Sequence, residues 1–330
     1  MLYDHKQIAL LMSNYFSGQT FSCERLTGGG NNVLWRAQSD VASKFVIKDY
    51  GPDGKERLDR EWAFLTKLAK NKVAHVSMPI WIDRTRQLAC FSYLGGTKLL
   101  PQDVTKSYAL QAAQFINRLS CVTTTGLRYA KGSHFTLKGH LDEIEARVKD
   151  LEISIEMYSK TSALNSFIEG CVRPEWDRRK TLIKHIGRND YFSSITALAS
   201  PSDFGFHNIL SDEGALNFID FEYAGIDDLA KLLADFSLMP AIPVTERNDH
   251  LFREAIFSDT ELDKYFHKRL ALLDYMFPIK WVCIILNVFL PLKTERILLA
   301  SNTDRARNQA KKLELARQFF DRYRHMELAI

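Results

Sequence analysis

The spacing of polar and apolar positions changes character along the chain. Over roughly the first 95 residues, short β-branched or aromatic runs at 21–26, 32–38, 44–49 and 88–93 are separated by the turn signals GGGNN and GPDG. Runs of this kind, bounded by glycine and asparagine, predict strands. One segment in this region has another period. In ERLDREWAFLTKLAK the residues Leu58, Trp62, Leu65, Leu68 and Ala69 recur at helical spacing, which predicts a single helix among the strands. Beyond Leu94-Gly95-Gly96 the helical period takes over, with amphipathic stretches at about 104–120, 139–160, 162–186, 228–238, 260–275, 278–290 and 303–325. Short strand-like pieces at 208–211 and 215–221 flank the turn DEG between them. The pattern predicts an α+β chain: a small β-rich lobe over 1–95, a glycine hinge, and a large mainly helical lobe over 96–330.

Composition supports a folded chain and narrows the classes open to it. Of 330 residues, 46% are hydrophobic and 25% charged, enough to bury a substantial core. The net charge of +4 is too small to mark a nucleic-acid surface. Arg305, Arg307, Lys311, Lys312, Arg317, Arg322 and Arg324 do cluster, but Ala306, Ala310, Leu313 and Phe320 are expected to form a buried stripe through the same segment. The basic residues then read as a solvated helix face, and no nucleic-acid partner is expected. Five cysteines, Cys23, Cys90, Cys121, Cys171 and Cys283, show no C-x-x-C spacing, which argues against a zinc site or disulfide framework. Residues 277–292 form the most apolar segment. Lys280 and Asn287 interrupt it and Pro291 closes it, so it is expected to be a core helix and not a membrane span. With no signal-peptide pattern at MLYDHKQIALLMS, a cytoplasmic location is expected.

Three groups of residues carry candidate chemistry. Lys48 lies on a strand, on the face of Val46 and opposite Phe45 and Ile47. Glu61 falls on the apolar face of its helix, three positions after Leu58 and four before Leu65. A carboxylate there needs a partner, and Lys48 is the natural one; the pair would hold an ammonium against the α- and β-phosphates of a nucleotide. Gly28, Gly29 and Gly30 lie between two strands, where backbone N–H groups can approach an anion closely, although no helix follows as in a Walker loop. The third group is Asp203, Asn208 and Asp220. Asp203 sits beside a turn with Asn208 five residues on, and Asp220 ends a strand beside the same loop. Amide and carboxylate oxygens completed by phosphate oxygens are what Mg²⁺ requires.

The stretches SDFGFHNIL and NFIDFEYAGIDDLAKLLADF resemble the catalytic region of the aminoglycoside phosphotransferase and choline kinase families, small-molecule relatives of protein kinases. The resemblance follows the chain in order through the glycine loop, Lys48, Glu61, hinge, catalytic loop and metal-binding Asp. It implies a two-lobed protein-kinase-like fold, with a small antiparallel-sheet N-lobe containing one helix and a large mainly helical C-lobe. It also implies ATP as phosphoryl donor, Mg²⁺ as cofactor and a small-molecule hydroxyl compound as acceptor. Carried over, Asp203 matches the catalytic Asp, Asn208 and Asp220 the metal ligands, and Asp228 an Asp that braces the loop. The family's His two residues before the catalytic Asp is replaced by Pro201, which bears on loop geometry more than on chemistry. Glu222 stands where protein kinases have Gly, and His207 is expected to be a loop histidine with its hydrogen bonds satisfied. From residue 221 to 330 there are sixteen Asp and Glu and sixteen Lys and Arg, no acidic excess for a polycationic acceptor. That balance favours neutral or weakly charged sugars, amino sugars or amino alcohols. Glu222, Asp227 and Asp274 are expected to be surface or bracing charges. The alternative is a catalytically silent, nucleotide-binding relative acting through partner contacts.

Overall fold

The computed structural model describes residues 3–26, 32–156, 163–290 and 305–328; Gly28, Gly29 and Gly30 lie outside them. The β-rich segments form strands β1 (Phe21–Leu26), β2 (Val33–Ser39), β3 (Lys44–Asp49), β4 (Pro79–Asp83) and β5 (Leu88–Ser92). They make one antiparallel sheet in the order β1-β2-β3-β5-β4. Register decides what each face carries. Leu34, Lys48 and Ala89 lie opposite one another across β2, β3 and β5, whereas Trp35, Ile47 and Cys90 occupy the next position along and so face the other way. Each face has its own core. Trp35, Ile47 and Cys90 pack with Ile8 and Met12 of helix α1 (His5–Tyr15). On the other side, Ala89 and Phe91 pack with Leu58, Phe64, Leu65 and Leu68 of helix α2 (Lys55–Lys70).

This lobe therefore holds two helices where one was expected. Helix α1 buries only Ile8 and Met12, a stripe too narrow to register as amphipathic, and its start is set by an Asp4–Gln7 capping box. Strand β4 was also not foreseen; it begins at Pro79, and proline demotes a run as a strand signal.

Gly96 follows β5 at a φ of 114°, and a Cβ there would stand 2.7 Å from the carbonyl oxygen of Ser211. The hinge glycine is thus required both by its backbone and by close approach. Beyond it, β6 (Thr97–Lys98), β8 (Ile209–Asp212) and β9 (Ala215–Phe218) form a three-stranded sheet, and β7 (Ala197–Ser200) pairs with β10 (Gly225–Asp228). The helices of this lobe are α3 (Lys106–Ser120), α4 (Leu137–Glu156), α5 (Ala163–Phe167), α6 (Arg173–Ile186), α7 (Leu229–Ser237), α8 (Glu246–Asp259), α9 (Phe266–Ile285) and α10 (Arg305–Tyr323). A π turn at Ile168–Val172 joins α5 to α6.

Helix α9 lies against α4, α6, α7 and α10 and forms the middle of the lobe. The separate segments expected at 260–275 and 278–290 are one helix here, running through Pro278. An internal proline costs about 3 kcal/mol, but nearly every α9 residue from Leu270 to Ile285 is buried, and that burial outweighs it. The segment Phe266–Phe289 is long and apolar enough to cross a membrane, yet 83% of its most apolar window is buried within the protein. Helix α8 was not foreseen, since it buries only Asn248, Phe252 and Ile256. In α10 the buried residues are Ala316, Phe319 and Phe320, while Ala306 and Ala310 are exposed. The expected stripe was therefore misplaced at its N-terminal end, because α10 is buried only along its later turns.

Candidate functional site

Strand β3 and helix α2 deliver Lys48 and Glu61 to the same buried spot. The Lys48 Nζ lies 3.0 and 2.8 Å from the two Glu61 carboxylate oxygens and 2.8 Å from Asp220 Oδ1. Glu61 is only 2% exposed and accepts two further bonds, from the Tyr50 hydroxyl at 2.6 Å and the Phe221 backbone N–H at 3.3 Å. A buried carboxylate is tolerated because its lone pairs are filled in this way. Burial alone would depress the Lys48 ammonium, but the charges of Asp220, Glu61 and Glu222 outweigh it and raise its pKa. Burial would raise the Asp220 carboxyl, but Lys48 overrides it and holds that group below its ordinary value. Glu61 stays raised, since burial there exceeds what Lys48 returns.

The loop after β7 is built without a histidine at position 201. The Asp203 N–H bonds the Pro201 carbonyl at 2.9 Å, the Ser202 N–H bonds Ser200 Oγ at 3.0 Å, and Ser202 Oγ reaches the Lys131 carbonyl at 3.2 Å. Phe204 and Phe206 anchor the loop in the core; Phe204 stacks on Phe115, Phe218 and Phe236. Asn208 Nδ2 donates to the Asp203 carbonyl at 3.0 Å and lies 3.4 Å from Asp203 Oδ2. That bond orients the amide and leaves Asn208 Oδ1 without a hydrogen bond among the described residues. The Ile219 N–H donates to the Asn208 carbonyl at 3.0 Å, which ties this loop to the Asp220 segment. Ser202 and Asp220 both adopt positive φ, 67° and 66°, uncommon conformations for residues other than glycine.

A cavity of about 310 Å³ adjoins these groups. Its wall includes Leu26, Leu34 and Val46 from the sheet, Leu210 and Ile219 from the larger lobe, Phe91, Tyr93 and Leu94 near the hinge, and Lys48, Glu61, Asn208 and Asp220. Apolar walls with a few convergent charges are the ordinary make-up of a ligand pocket. Asp203 is not on that wall; its carboxylate is 35% exposed.

Sequence reasoning missed several contributors. Tyr50 reads as a core aromatic, and only the fold shows its hydroxyl on Glu61. Asn32 bonds Glu222 at 2.6 Å and accepts from Arg57 at 2.9 Å, so residues far apart in sequence interlock beside the cavity. Among the described residues Asp228 makes no hydrogen bond or ion pair to the loop that the resemblance implied it would brace. It caps α7 through the Ala230 N–H and pairs with Arg269 at 2.7 Å, because β10 places its side chain in the helical core. Asp227 and Asp274 are bracing charges, paired with Lys231 at 2.7 Å and Arg253 at 2.8 Å. His207 also differs from expectation: its Nδ1 is buried without a hydrogen-bond partner among the described residues, and its Nε2 lies 3.4 Å from Asp203 Oδ1.

No protein-family model and no curated protein matches the chain. Solved structures do. A choline/ethanolamine kinase family protein from Mesorhizobium loti aligns over 97% of both chains at 16% identity and a TM-score of 0.61. A choline kinase from Streptococcus pneumoniae covers 96% of this chain and 99% of its own at 15% identity, with a TM-score of 0.62. A spectinomycin phosphotransferase, solved with ADP and spectinomycin, covers 97% of this chain and 99% of its own at 13% identity, with a TM-score of 0.67. At such identities the likeness is one of fold. The chain has the two-lobed protein-kinase-like fold of these small-molecule kinases.

Proposed function

We propose that this protein is a phosphotransferase that moves the γ-phosphoryl group of ATP, with Mg²⁺, to a hydroxyl of a small molecule. The observation that carries this reading is Lys48, held at once by Glu61 and Asp220 beside a loop that presents Asn208 and Asp203. The structural neighbours include choline kinases and a phosphotransferase solved with ADP, which supports a nucleotide donor and a hydroxyl acceptor.

The donor set suits magnesium. Asn208 Oδ1 and the second oxygen of Asp220 are hard ligands with no hydrogen bond among the described residues, and phosphate oxygens would complete the shell. The ion supplies charge neutralisation on the phosphates, and these two residues would hold it. Lys48, held by Glu61, which in turn accepts from Tyr50, would bring a positive charge to the phosphates. Phosphoryl transfer passes through a loose transition state, so catalysis rests mainly on positioning and electrostatics. Asp203 would orient the acceptor hydroxyl and take its proton late, as the new P–O bond forms and the bond to ADP breaks. The cavity's apolar walls suit a flat nucleobase. The even charge of the C-terminal third points to a neutral or weakly charged acceptor, a sugar, amino sugar or amino alcohol.

The test is magnesium-dependent ADP release with a panel of such hydroxyl compounds. Asp203→Asn is expected to lower kcat about 10²-fold or more while nucleotide affinity stays near that of the native protein. Undiminished turnover in that variant would remove Asp203 from the role. The second reading, a silent nucleotide-binding relative, is motivated by Pro201; it predicts nucleotide binding with no ADP release for any acceptor.

A further inference from the structure

His207 is the residue that neither the family pattern nor the proposed mechanism accounts for. It lies four positions after Asp203, and its Nε2 is 3.4 Å from Asp203 Oδ1. This is longer than a formed hydrogen bond, as catalytic contacts often are before substrate arrives. Its other nitrogen, Nδ1, is buried with no partner among the described residues. An imidazole seated this way costs desolvation that an apolar ring would avoid, and its polar approach is to the carboxylate.

The backbone around it is arranged for that ring. Phe204 and Phe206 are buried on either side of Gly205, which holds the loop rigid. Gly205 has a φ of 179°, which any residue adopts, so backbone conformation does not require a glycine. Space does: a Cβ there would stand 2.9 Å from His207 Nδ1 and 3.0 Å from Met239 Cγ. Upstream of Asp203, Pro201 offers neither an N–H nor a side-chain donor. The Asp203 carboxylate is instead approached by His207 at Oδ1 and by Asn208 Nδ2, 3.4 Å from Oδ2.

We propose that His207 is a positioning residue, whose Nε2–H fixes the plane of the Asp203 carboxylate toward the acceptor hydroxyl, in place of a donor from the N-terminal side of the loop. The proposal rests on the phosphotransferase reading for its kinetic consequence and on geometry for the contact itself. A carboxylate turns readily about its last torsion, and an unheld base spends less time aligned with the hydroxyl it must meet. His207 does not take the proton; it holds the group that does.

The experiment compares His207→Ala, His207→Gln, His207→Asn and Gly205→Ala with the native protein, each checked for a native-like thermal melt. Gln carries an amide N–H near the position of Nε2, whereas Asn places one near Nδ1. His207→Ala and Gly205→Ala are expected to lower kcat about 10- to 100-fold with the KM for ATP within about twofold. His207→Gln should recover most of the loss and His207→Asn should not. Equal recovery by Asn and Gln, or full activity in His207→Ala, overturns the proposal. Nitrogen-15 spectra of the imidazole supply a readout independent of turnover. The Nε2–H tautomer is expected, with its signals shifting in Asp203→Asn; an Nδ1–H tautomer, or no response to that substitution, overturns the contact. Should the native protein phosphorylate no acceptor, the phosphotransferase reading fails and the tautomer decides on His207 alone.

Discussion

Tyr50, two positions beyond Lys48, is 1% exposed and donates its hydroxyl to Glu61. Burial and the neighbouring Glu61 raise its phenol well above the ordinary range, so it stays a neutral donor. Tyr50→Phe leaves a lone pair of a buried carboxylate unfilled, which is expected to destabilise the protein by about 1–3 kcal/mol in urea unfolding. It should also raise the KM for ATP, since Glu61 loses one of the bonds that hold it against Lys48. Unchanged stability and KM would mean that Lys48 and Phe221 suffice to place Glu61. At this scale the sequence was informative wherever a residue contradicted its surroundings. Glu61 on an apolar helix face demanded a cation, and Lys48 was the answer the fold also reached. Tyr50 contradicted nothing, because an aromatic in an apolar run reads as core, and its hydroxyl was therefore invisible.

Helices α4 and α6 are joined by a different kind of contact. Glu145 on α4 accepts from Arg173 at 3.1 Å, Trp176 at 2.9 Å and Lys180 at 2.7 Å, all on α6. Burial opposes its ionisation, but these donors prevail and lower its pKa from 4.5 to about 2. A carboxylate lowered in the folded state contributes stability that is complete above pH 4.5 and is lost as pH falls toward 2. The unfolding free energy should therefore drop more steeply across that window in the native protein than in Glu145→Gln, measured by urea titration at successive pH values. Equal slopes would show that the α4–α6 contact does not depend on this charge. The elements themselves were legible in proportion to the breadth of their apolar face. Strands β1 and β3 and helices α2, α3 and α7 carry strong periodic signals. Helices α1 and α8 bury two or three residues each and were missed, and α9 looked broken because Pro278 signals an end that packing overrides.

The cavity is walled by both lobes, so a ligand in it binds the folded assembly and not the unfolded chain. ATP with Mg²⁺ at about one hundred times its Kd should stabilise the protein by about 2.7 kcal/mol, seen as a raised Tm. Chelating the metal or replacing Asp220 with Asn should remove much of that increment, and an increment indifferent to both would place the nucleotide elsewhere. By itself the sequence determined the β-rich and helical parts and the glycine at the hinge, and it marked out Lys48, Glu61, Asp203, Asn208 and Asp220 as candidates, because each rests on local periodicity or on a short motif with its own chemistry. Tertiary structure alone decided what surrounds them. Sheet register set Lys48 facing α2, the interlock of Asn32, Arg57 and Glu222 formed across long sequence separations, and Asp228 was drawn into the helical core by Arg269. His207 is the sharpest instance. Within SDFGFHN it is an ordinary loop residue, and only the loop's anchoring by Phe204 and Phe206, with room made at Gly205, brings its ring to Asp203. Local pattern fixes which face a residue occupies, but the partner across that face is chosen by chain segments that no local pattern contains.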